Sequence, residues 1–449
     1  MANKIDLKNQ VCEAIDRHQR QIVDLGEGIM DDPELGFKEE RTAERVKNIL
    51  GQAGLAYEEG LALTGVKAVL RGARPGPTVA LMGELDALIV PDHGRANPTT
   101  GAAHACGHNA QIAGLMGAAL GLADIAVAKH LAGNIVFLAV PAEEFVEIDY
   151  RLGLVKEGKT TFLAGKPELV SLGHFDDIDM AIMIHTNNAD TKMEGAIGVA
   201  ASSNCFLAKN ICFSGRAAHA GVAPEKGINA LNAANLALSA INAQRETFRD
   251  QDCVRVHPII TKGGDLVNIV PAEVRMETYV RARTQEAMLD GARKVDRALR
   301  GAAMALGCEV KIETVPGYLS LRNNKDLAEL FRSNAGSIFG PDTFSNYPHS
   351  GGSTDAGDLS QIMPVLHPAM GGASGTIHGP DWRIADASAG YLAPAKTLAM
   401  MAIDLLAGDA ATARQIIDAD KPSMSREGYL KLQREIFQRE VFDGASGTN

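Results

Sequence analysis

Three apolar stretches in the first half of the chain each run directly into polar side chains, and this repeated pattern most constrains the fold. The first, TVALMGELDAL, carries Glu84 and Asp86, and the second, NIVFLAVPAEE, ends at Glu143 and Glu144. The third, DMAIMIHTN, contains His185. Short runs rich in Val, Ile, Leu and Met are typical of buried strands. Because ligand sites in open α/β sheets form beyond the carboxyl ends of strands, we expect the three polar clusters to converge on one crevice.

Helical patterns separate these strands, at about residues 109–128 and 150–173. Such alternation of strand and helix predicts an α/β protein with a mostly parallel sheet. From about residue 200 the order becomes strand, helix, strand, strand, helix, strand, which is typical of a small ferredoxin-like α+β domain. We therefore expect one domain in two segments, 1–199 and 317–449, interrupted by a smaller domain at 200–316.

The composition excludes several classes of protein. The 449 residues carry a formal net charge of -11, so the chain lacks the basic field of a nucleic-acid-binding protein. Its N-terminal segment lacks the pattern of a signal peptide, and its most apolar window, 110–128, contains Gln111 and Asp124. Six scattered cysteines suggest reduced thiols rather than a disulfide framework. We expect a cytoplasmic protein that binds neither nucleic acid nor membrane.

The stretch AHACGHNAQ contains the strongest chemical signal. Cys106 and His108 flank a glycine, so a thiolate and an imidazole could hold the same cation. Alone, the pair is also consistent with a small buried thiol beside a hydrogen-bonded histidine. Together with Glu143, Glu144 and His185, however, these donors suit zinc or a similar divalent ion. One of two adjacent glutamates can bind metal while the other moves protons, which predicts hydrolysis by metal-activated water.

A series of short motifs extends the pattern along the chain: GELDAL, HACGHN, PAEE, MIHTN, GRAAHAG, NIVPAE, GGSTDAGDLS and GTIHGPD. In this order they resemble the M20 metallopeptidase family over nearly the whole length, and within it the amidohydrolase branch of amino-acid-conjugate and aminobenzoyl-glutamate hydrolases. The resemblance implies a di-metal catalytic domain interrupted by a smaller lid and dimerisation domain. It also implies two divalent metal ions per subunit, with zinc, manganese and cobalt all open.

The resemblance further implies roles for individual residues. The metal ligands would be Cys106, His108, Glu144, His185 and His378. Glu143 would be the general base, and Asp86 would orient a metal-bound imidazole. In the smaller domain, His219 would reach the site of a neighbouring subunit and polarise the scissile carbonyl, which implies a homodimer or higher homo-oligomer. Asn268 and Arg281 would hold a substrate carboxylate or carbonyl.

Some positions depart from the family pattern. The classical peptidase branch has a metal-binding His at the place of Glu84, whereas amidohydrolase relatives often have Asp or Glu there. Asn109 stands where many relatives have Asp. The segment LIVPDHGRANPTTGA differs from the common short linker after the GELDAL motif. His104, His349 and His367 stay outside the expected ligand set.

These observations predict a metal-dependent amidohydrolase that cleaves the amide bond of an N-acyl or N-aroyl amino acid, such as an aminobenzoyl-glutamate-like substrate. The partner would be a small-molecule amide that carries a carboxylate. A dipeptidase or an arylamine-releasing aminohydrolase would use the same site. A metal-dependent binding module without turnover is a rival from another class, and the intact Glu143 argues against it. A thiol enzyme with Cys106 as nucleophile would be insensitive to chelators.

Overall fold

The computed structural model describes residues 3–189 and 196–446. The chain divides into two compact units, each built from segments that are separated in sequence. The first unit comprises Met1–Ser202, Arg322–His349 and Asp358–Ser425. The second unit comprises Ser203–Leu321, Ser350–Gly357 and Arg426–Asn449.

Helices and strands alternate along most of the chain. The α-helices are α1 (Lys4–Arg17), α2 (Gln19–Met30), α3 (Glu40–Gln52), α4 (His108–Asp124), α5 (Ile148–Lys156), α6 (Gly165–Ser171), α7 (Ala230–Ala243), α8 (Gln285–Leu306), α9 (Lys325–Phe339), α10 (Ala356–Leu359), α11 (Ala393–Leu406), α12 (Ala411–Ala419) and α13 (Arg426–Ile436). The strands are β1 (Tyr57–Leu61), β2 (Gly65–Arg71), β3 (Arg74–Glu84), β4 (Leu88–Ile89), β5 (Ala102–Ala103), β6 (Ala132–Val140), β7 (Met180–Met183), β8 (His185–Thr186), β9 (Ile197–Ala200), β10 (Cys205–Ser214), β11 (Arg255–Val256), β12 (Ile259–Lys262), β13 (Glu273–Ala282), β14 (Glu309–Pro316), β15 (Phe344–Tyr347), β16 (Val365–Leu366), β17 (Ala369–Met370), β18 (Ala373–Ser374), β19 (Arg383–Ile384) and β20 (Gln438–Asp443).

The main sheet of the first unit has the strand order β1-β2-β6-β3-β7-β16. The pairs β6–β3, β3–β7 and β7–β16 are parallel, whereas β1–β2 and β2–β6 are antiparallel. The predicted α/β class with a mostly parallel sheet is confirmed, although the antiparallel edge was not foreseen. Strands β3, β6 and β7 are the three predicted apolar runs. Because they are parallel neighbours, their carboxyl ends meet at one edge of the sheet.

Helix α4 is the central helix of this unit and is buried from His108 to Leu122. Its small residues allow close packing: a Cβ added at Gly117 would lie 2.8 Å from the Cβ of Ala395 in α11. The helix therefore anchors the residues that precede it against the sheet. Among the described residues, no helix combines the length and apolarity that crossing a membrane requires.

The sheet of the second unit has the order β11-β13-β10-β14-β20, with β12 also paired to β13. Helices α7 and α8 pack on it through an apolar cluster that includes Phe213, Val280 and Leu299. The predicted alternation of strands and helices is present, but the run VRVHPIITKGG forms two short strands rather than one. Pro258 lies between β11 and β12 and has no backbone N–H to donate, which interrupts the pairing.

The last strand differs from the predicted domain boundaries. The sequence predicts that residues 317–449 return to the first domain. Instead, β20 pairs antiparallel with β14 along its whole length and completes the second sheet. This pairing satisfies the backbone groups that β14 would otherwise expose at an edge. Half of the residues in the strand sequence QREVFD are charged and only Phe442 is buried, so its hydrophobic pattern gives little indication of a strand.

Candidate metal centre

Two turns that carry carboxylates meet where β3 and β6 end. These strands are parallel and in register up to Glu84 and Val140, so Asp86 and Glu144 follow at the same edge. Asp86 is fully buried and connects the turns, because its Oδ2 accepts a hydrogen bond of 2.8 Å from the backbone amide of Glu144. The expected convergence of polar side chains is therefore present at this edge of the sheet.

Asp86 also fixes the ring of His108, which begins α4. His108 Nδ1 lies 2.9 Å from the Asp86 carbonyl oxygen and 3.2 Å from its Oδ1. Two acceptors at Nδ1 favour a proton on that nitrogen, so Nε2 is the ring atom left to bind a metal. The contact holds the ring in one orientation, and the expected role of Asp86 in orienting a metal-bound imidazole stays a prediction.

The turn before α4 brings the Cys106 thiol beside His108. Gly107 between them has a φ of 92°, a conformation that L side chains rarely adopt. A Cβ at this position would also lie only 3.2 Å from the Cβ of Thr186. The opposite side of the centre is formed by His378, which has a φ of 62° and donates its backbone N–H to the Ala105 carbonyl at 2.8 Å.

The five expected metal ligands form two groups that share one sulfur. In each group the ligand atoms all lie within 4.8 Å of one another, and the groups are Cys106, His108 and His185, and Cys106, Glu144 and His378. The Cys106 Sγ lies 3.4 Å from His185 Nε2, and His378 Nε2 lies 3.3 Å from Glu144 Oε1. Two ligand atoms on one zinc ion are separated by about 3.3–3.6 Å in tetrahedral geometry. The chemistry and spacing of these residues would fit two divalent ions, with Cys106 common to both groups.

The charges of the cluster also fit cations. Glu84, Asp86, Glu143 and Glu144 are all buried. Burial opposes ionisation of Glu144, but the hydrogen bond and charge of His378 outweigh it and lower the pKa of this carboxyl to about 2. A buried group of carboxylates needs positive charge nearby, and bound divalent ions would supply it.

The thiol of Cys106 behaves differently. Burial is the main cause that raises its pKa well above the ordinary value, and the nearby Glu144 carboxylate raises it further. Protein groups alone therefore keep this sulfur protonated, whereas a metal ion captures the thiolate. This favours a ligand over a free nucleophile.

Glu143 lies outside these two groups but forms a third one with Glu84 and His108, whose ligand atoms also lie within 4.8 Å of one another. Its Oε2 lies 3.9 Å from His108 Nε2, and the residue is 8% exposed. If His108 Nε2 binds a metal, a carboxylate at this distance could accept a proton from a water molecule between them. Its role as the general base stays a prediction.

Two buried residues hold the turn that carries these glutamates. Arg151 donates from Nη2 to the Glu144 carbonyl at 2.5 Å and from Nη1 to the Leu163 carbonyl at 2.7 Å. Glu39 Oε1 accepts the Ala142 amide at 2.8 Å, and burial is the main cause that raises the pKa of Glu39 to about 7. Sequence reasoning missed both residues, because neither belongs to a motif or to a polar cluster at the end of a predicted strand.

Sequence reasoning also missed a buried pair next to His108. Glu84 Oε1 lies 2.6 Å from Lys166 Nζ, and Glu84 Oε2 accepts a hydrogen bond of 2.7 Å from Gln111 Nε2. The sequence showed that Glu84 departs from the pattern of the classical peptidase branch, but it did not indicate Lys166 as its partner. His367, outside the expected ligand set, lies 5.7 Å from His185 between ring centroids.

The remaining expected site residues belong to the second unit. His219 Nδ1 accepts hydrogen bonds from the amides of Gly221 and Val222, at 3.2 and 3.1 Å. Asn268 lies on the adjoining segment, since its carbonyl accepts the Ala220 amide at 3.0 Å. Both residues are exposed, and their catalytic or binding roles stay predictions.

Arg281, on β13 of the second unit, has a defined environment. Its Nη1 donates to Ser353 Oγ at 2.9 Å. The guanidinium lies 5.0 Å from the ring centroid of Phe206 and 5.3 Å from that of Tyr279. These rings hold a flat cation in one orientation, which suits pairing with a carboxylate.

Comparison with known proteins identifies the family of this chain. The model of peptidase family M20/M25/M40 matches residues 80–401. The chain is 29% identical over 424 residues to Xaa-Arg dipeptidase of Mus musculus, covering 89% of each protein. It is 28% identical over 306 residues to one of the subunits of p-aminobenzoyl-glutamate hydrolase of Escherichia coli, covering 66% of this chain and 57% of that one. The crystal structure of the Bacillus subtilis YXEP protein, a dinuclear metal binding peptidase of family M20, shares the fold with a TM-score of 0.63 and 21% identity, covering 87% of this chain and 99% of that chain.

Proposed function

The chain belongs to peptidase family M20/M25/M40 and is a hydrolase of amide- or peptide-type bonds, and we propose that it is a metal-dependent amidohydrolase of N-acyl or N-aroyl amino acids. One observation carries the proposal: two groups of three ligand atoms share Cys106, and Glu143 stands beside them. A small amide with a carboxylate, such as an aminobenzoyl-glutamate-like compound, is the proposed substrate. The similarity to the p-aminobenzoyl-glutamate hydrolase of Escherichia coli supports this choice.

Metal binding is proposed for Cys106, His108, Glu144, His185 and His378. The dinuclear metal-binding neighbour and the two ligand groups both support two ions. Divalent ions held there would polarise the amide carbonyl and lower the pKa of water. All six cysteines are free, which supports a reducing compartment such as the cytoplasm as a further proposal.

The protein's own groups divide the remaining work. Glu143 removes a proton from the attacking water and returns it to the nitrogen of the leaving amine, so that one carboxylate acts as base and then as acid. Asp86 keeps the His108 ring in one orientation through Nδ1. Arg151 and Glu39 hold the backbone from Ala142 to Glu144, which fixes the distance between Glu143 and the ligands.

Recognition of the substrate carboxylate is proposed for Arg281 and Asn268. A guanidinium can pair with a carboxylate through two parallel hydrogen bonds, and the rings beside Arg281 limit its rotation. Stabilisation of the developing oxyanion is proposed for His219, whose Nδ1 is already an acceptor for two amides. Its Nε2 is then the atom that carries the proton and can donate to an oxyanion.

A second copy of the chain is the proposed partner of the His219 region. Exposed apolar side chains surround it, including Val222 at 79%, Leu266 at 61% and Val267 at 101% relative exposure. Such a patch is typical of a surface that another protein covers. We propose that the copies form a homodimer in which His219 serves the site of the partner subunit.

Mixing two inactive variants tests this arrangement. Subunits with Glu143→Gln and subunits with His219→Ala are unfolded, mixed in equal amounts and refolded together. If His219 acts across subunits, half of the dimers are mixed and each has one complete site, so about a quarter of wild-type activity returns. Mixtures that stay inactive, although light scattering shows dimers, would overturn the exchange of His219. A monomer with full activity would overturn the dimer itself.

A dipeptidase is the second candidate function. The mouse Xaa-Arg dipeptidase aligns over 89% of the chain, more than the aminobenzoyl-glutamate hydrolase does. Mass spectrometry of a mixed panel separates the two: aroyl-glutamates, N-acyl amino acids and dipeptides with C-terminal Arg. We expect the aroyl- and acyl-amino acids to be consumed fastest and the chelated enzyme to be inactive. Exclusive turnover of dipeptides would favour the second candidate, and chelator-resistant turnover blocked by thiol alkylation would favour Cys106 as a nucleophile.

A further inference from the structure

Glu84 is a buried carboxylate that does not belong to the five expected ligands. It lies at the end of β3, is 1% exposed, and is held at both oxygens. Lys166, the second residue of α6, lies 2.6 Å from Oε1, while Gln111, one turn into α4, donates to Oε2 at 2.7 Å.

The other side of this carboxylate faces a metal-binding nitrogen. Glu84 Oε2 lies 3.0 Å from His108 Nε2, the ring atom that Asp86 does not occupy. Glu84, His108 and Glu143 also form a third group of ligand atoms that lie within 4.8 Å of one another. Two ligands at right angles on one ion, each about 2.1 Å from it, are separated by about 3 Å. The spacing therefore suits two ligands on the same ion.

We propose that Glu84 is a further metal ligand, which adds an oxygen to the ion bound at His108 Nε2 and is held in place by Lys166 and Gln111. This inference rests on the proposed metal-dependent function and extends it to the choice of metal. A carboxylate added to the thiolate and the two imidazoles makes that ion's environment richer in oxygen, and carboxylate ligands suit Mn²⁺ better than they suit Zn²⁺. The His108 ion site is thus expected to prefer Mn²⁺ more strongly than its thiolate and imidazole alone would.

A purely structural ion pair is the competing explanation of the same contacts. Such a pair needs Lys166 and one carboxylate oxygen, and it does not require Oε2 to face a ligand nitrogen. Buried ion pairs also contribute little net stability relative to apolar side chains of similar volume. Hydrogen bonds to the second oxygen of a ligating carboxylate are, in contrast, a common feature of metal sites.

The test removes the charge pair as a whole. Changing Glu84 alone would take away the carboxylate that neutralises the buried Lys166 ammonium, so the variant is Glu84→Gln with Lys166→Met. Full-length protein is first freed of metal with a chelator and is then titrated with MnCl₂ and, separately, with ZnCl₂. Elemental mass spectrometry measures the stoichiometry of bound metal, and electron paramagnetic resonance measures free Mn²⁺. The control is Glu168→Gln, a buried carboxyl on α6 whose oxygen accepts the amides of Thr161 and Phe162.

We expect the double variant to fold, with the circular-dichroism spectrum of the wild type. It should bind one Mn²⁺ at least about tenfold more weakly, while its affinity for Zn²⁺ falls less and the control retains both. Unchanged Mn²⁺ affinity and stoichiometry in the folded variant would overturn Glu84 as a ligand. Equal weakening for both metals would overturn the preference for Mn²⁺. A wild-type protein that binds no divalent ion would instead overturn the proposed function.

If the double variant does not fold, the single variant Gln111→Leu keeps the ion pair and removes only the hydrogen bond to Glu84 Oε2. The inference then expects weaker Mn²⁺ binding because the ligand oxygen loses its fixed position. Affinity for Mn²⁺ equal to that of the wild type would contradict it.

Discussion

Each unit of the protein contains a lysine that is almost fully buried against a carboxylate, and the two pairs differ in what the carboxylate touches next. Lys166 in the first unit and Lys209 in the second have side chains at most 1% exposed. Their ion pairs are almost equally short, 2.6 Å to Glu84 and 2.7 Å to Asp296. Glu84 also contacts the imidazole of a proposed metal ligand, whereas Asp296 is 20% exposed.

The comparison shows that burial of a charge does not by itself indicate a functional site. Lys209 lies on β10, and its ammonium also donates to Thr314 Oγ1 on β14 at 2.8 Å, so it connects two strands with α8. Lys166 instead fixes a carboxylate at the edge where the proposed ligands converge. The useful question for each buried charge is therefore which further group depends on its position. Variants in both units can separate the two cases.

The largest expected effect is the loss of kcat on replacing Glu143, because this buried carboxylate of the first unit is proposed to transfer the proton. Glu143→Gln keeps the shape of the side chain but cannot accept the proton of the attacking water. We expect kcat to fall about a hundred- to ten-thousand-fold. Both ions and the melting temperature should be retained, as elemental analysis and thermal unfolding would show. A kcat within threefold of the wild type would exclude Glu143 as the base.

Cys106→Ser should have the next largest effect, since one sulfur belongs to both ligand groups. A serine hydroxyl stays protonated near neutral pH and is a poor ligand for zinc. We expect the affinity for both ions to fall by more than about a hundredfold, beyond the range for residues that only support a ligand. Cys205→Ser, at a buried thiol of the second unit, is the matched control and should keep both ions. Equal metal content in the two variants would remove Cys106 from the ligands.

The two lysines provide the direct test of the comparison. Lys166→Met should weaken binding of one ion about 10- to 100-fold, because Glu84 loses the group that holds it beside His108. Lys209→Met should leave metal affinity unchanged and instead lower the free energy of unfolding by about 1–3 kcal/mol, as breaking a partly buried pair does. Competition titration with a metal indicator and urea unfolding measure the two quantities. Equal effects of both variants on metal affinity would end the distinction drawn between the pairs.

The sequence predicted those parts of the fold that follow from a locally repeated pattern of apolar residues. The apolar runs that became β3, β6 and β7 have the composition of buried parallel strands, and their polar ends meet as expected. The antiparallel edge strands and β20 were not predicted, because their alternating or charged sequences resemble exposed loops as much as strands. Pairing between β14 and β20 joins segments more than a hundred residues apart, and a hydrophobic pattern carries no information about such a partner.

The candidate site was predictable where chemistry and spacing coincide. The thiol and imidazole two residues apart, and the adjacent glutamates after a strand, identified the centre of the cluster. Lys166 could not be found this way, since it pairs with a carboxylate 82 residues earlier and belongs to none of the motifs. Arg151 was missed for a different reason. Its side chain donates hydrogen bonds to backbone carbonyls, and a motif of side chains does not reveal such contacts.

The smallest expected effect concerns the pH dependence of the Lys209 pair. Burial, opposed in part by Asp296, lowers the pKa of Lys209 from its ordinary value of 10.5. The folded protein therefore releases this proton at a lower pH than the unfolded chain does. Between the two pKa values the unfolded state binds more protons, so the free energy of unfolding rises with pH in that window.

Other lysines and tyrosines titrate in the same range, so the measurable quantity is the difference in unfolding free energy between the wild type and Lys209→Met. We expect this difference to grow in favour of the wild type as urea unfolding is repeated from about pH 8 towards about pH 10, below the ordinary lysine pKa. The expected change is opposite in sign to that of a lysine stabilised by its partner, whose contribution would be lost as pH rises. A difference that stays flat or shrinks would mean that Asp296 and Thr314 fully compensate the burial of the ammonium.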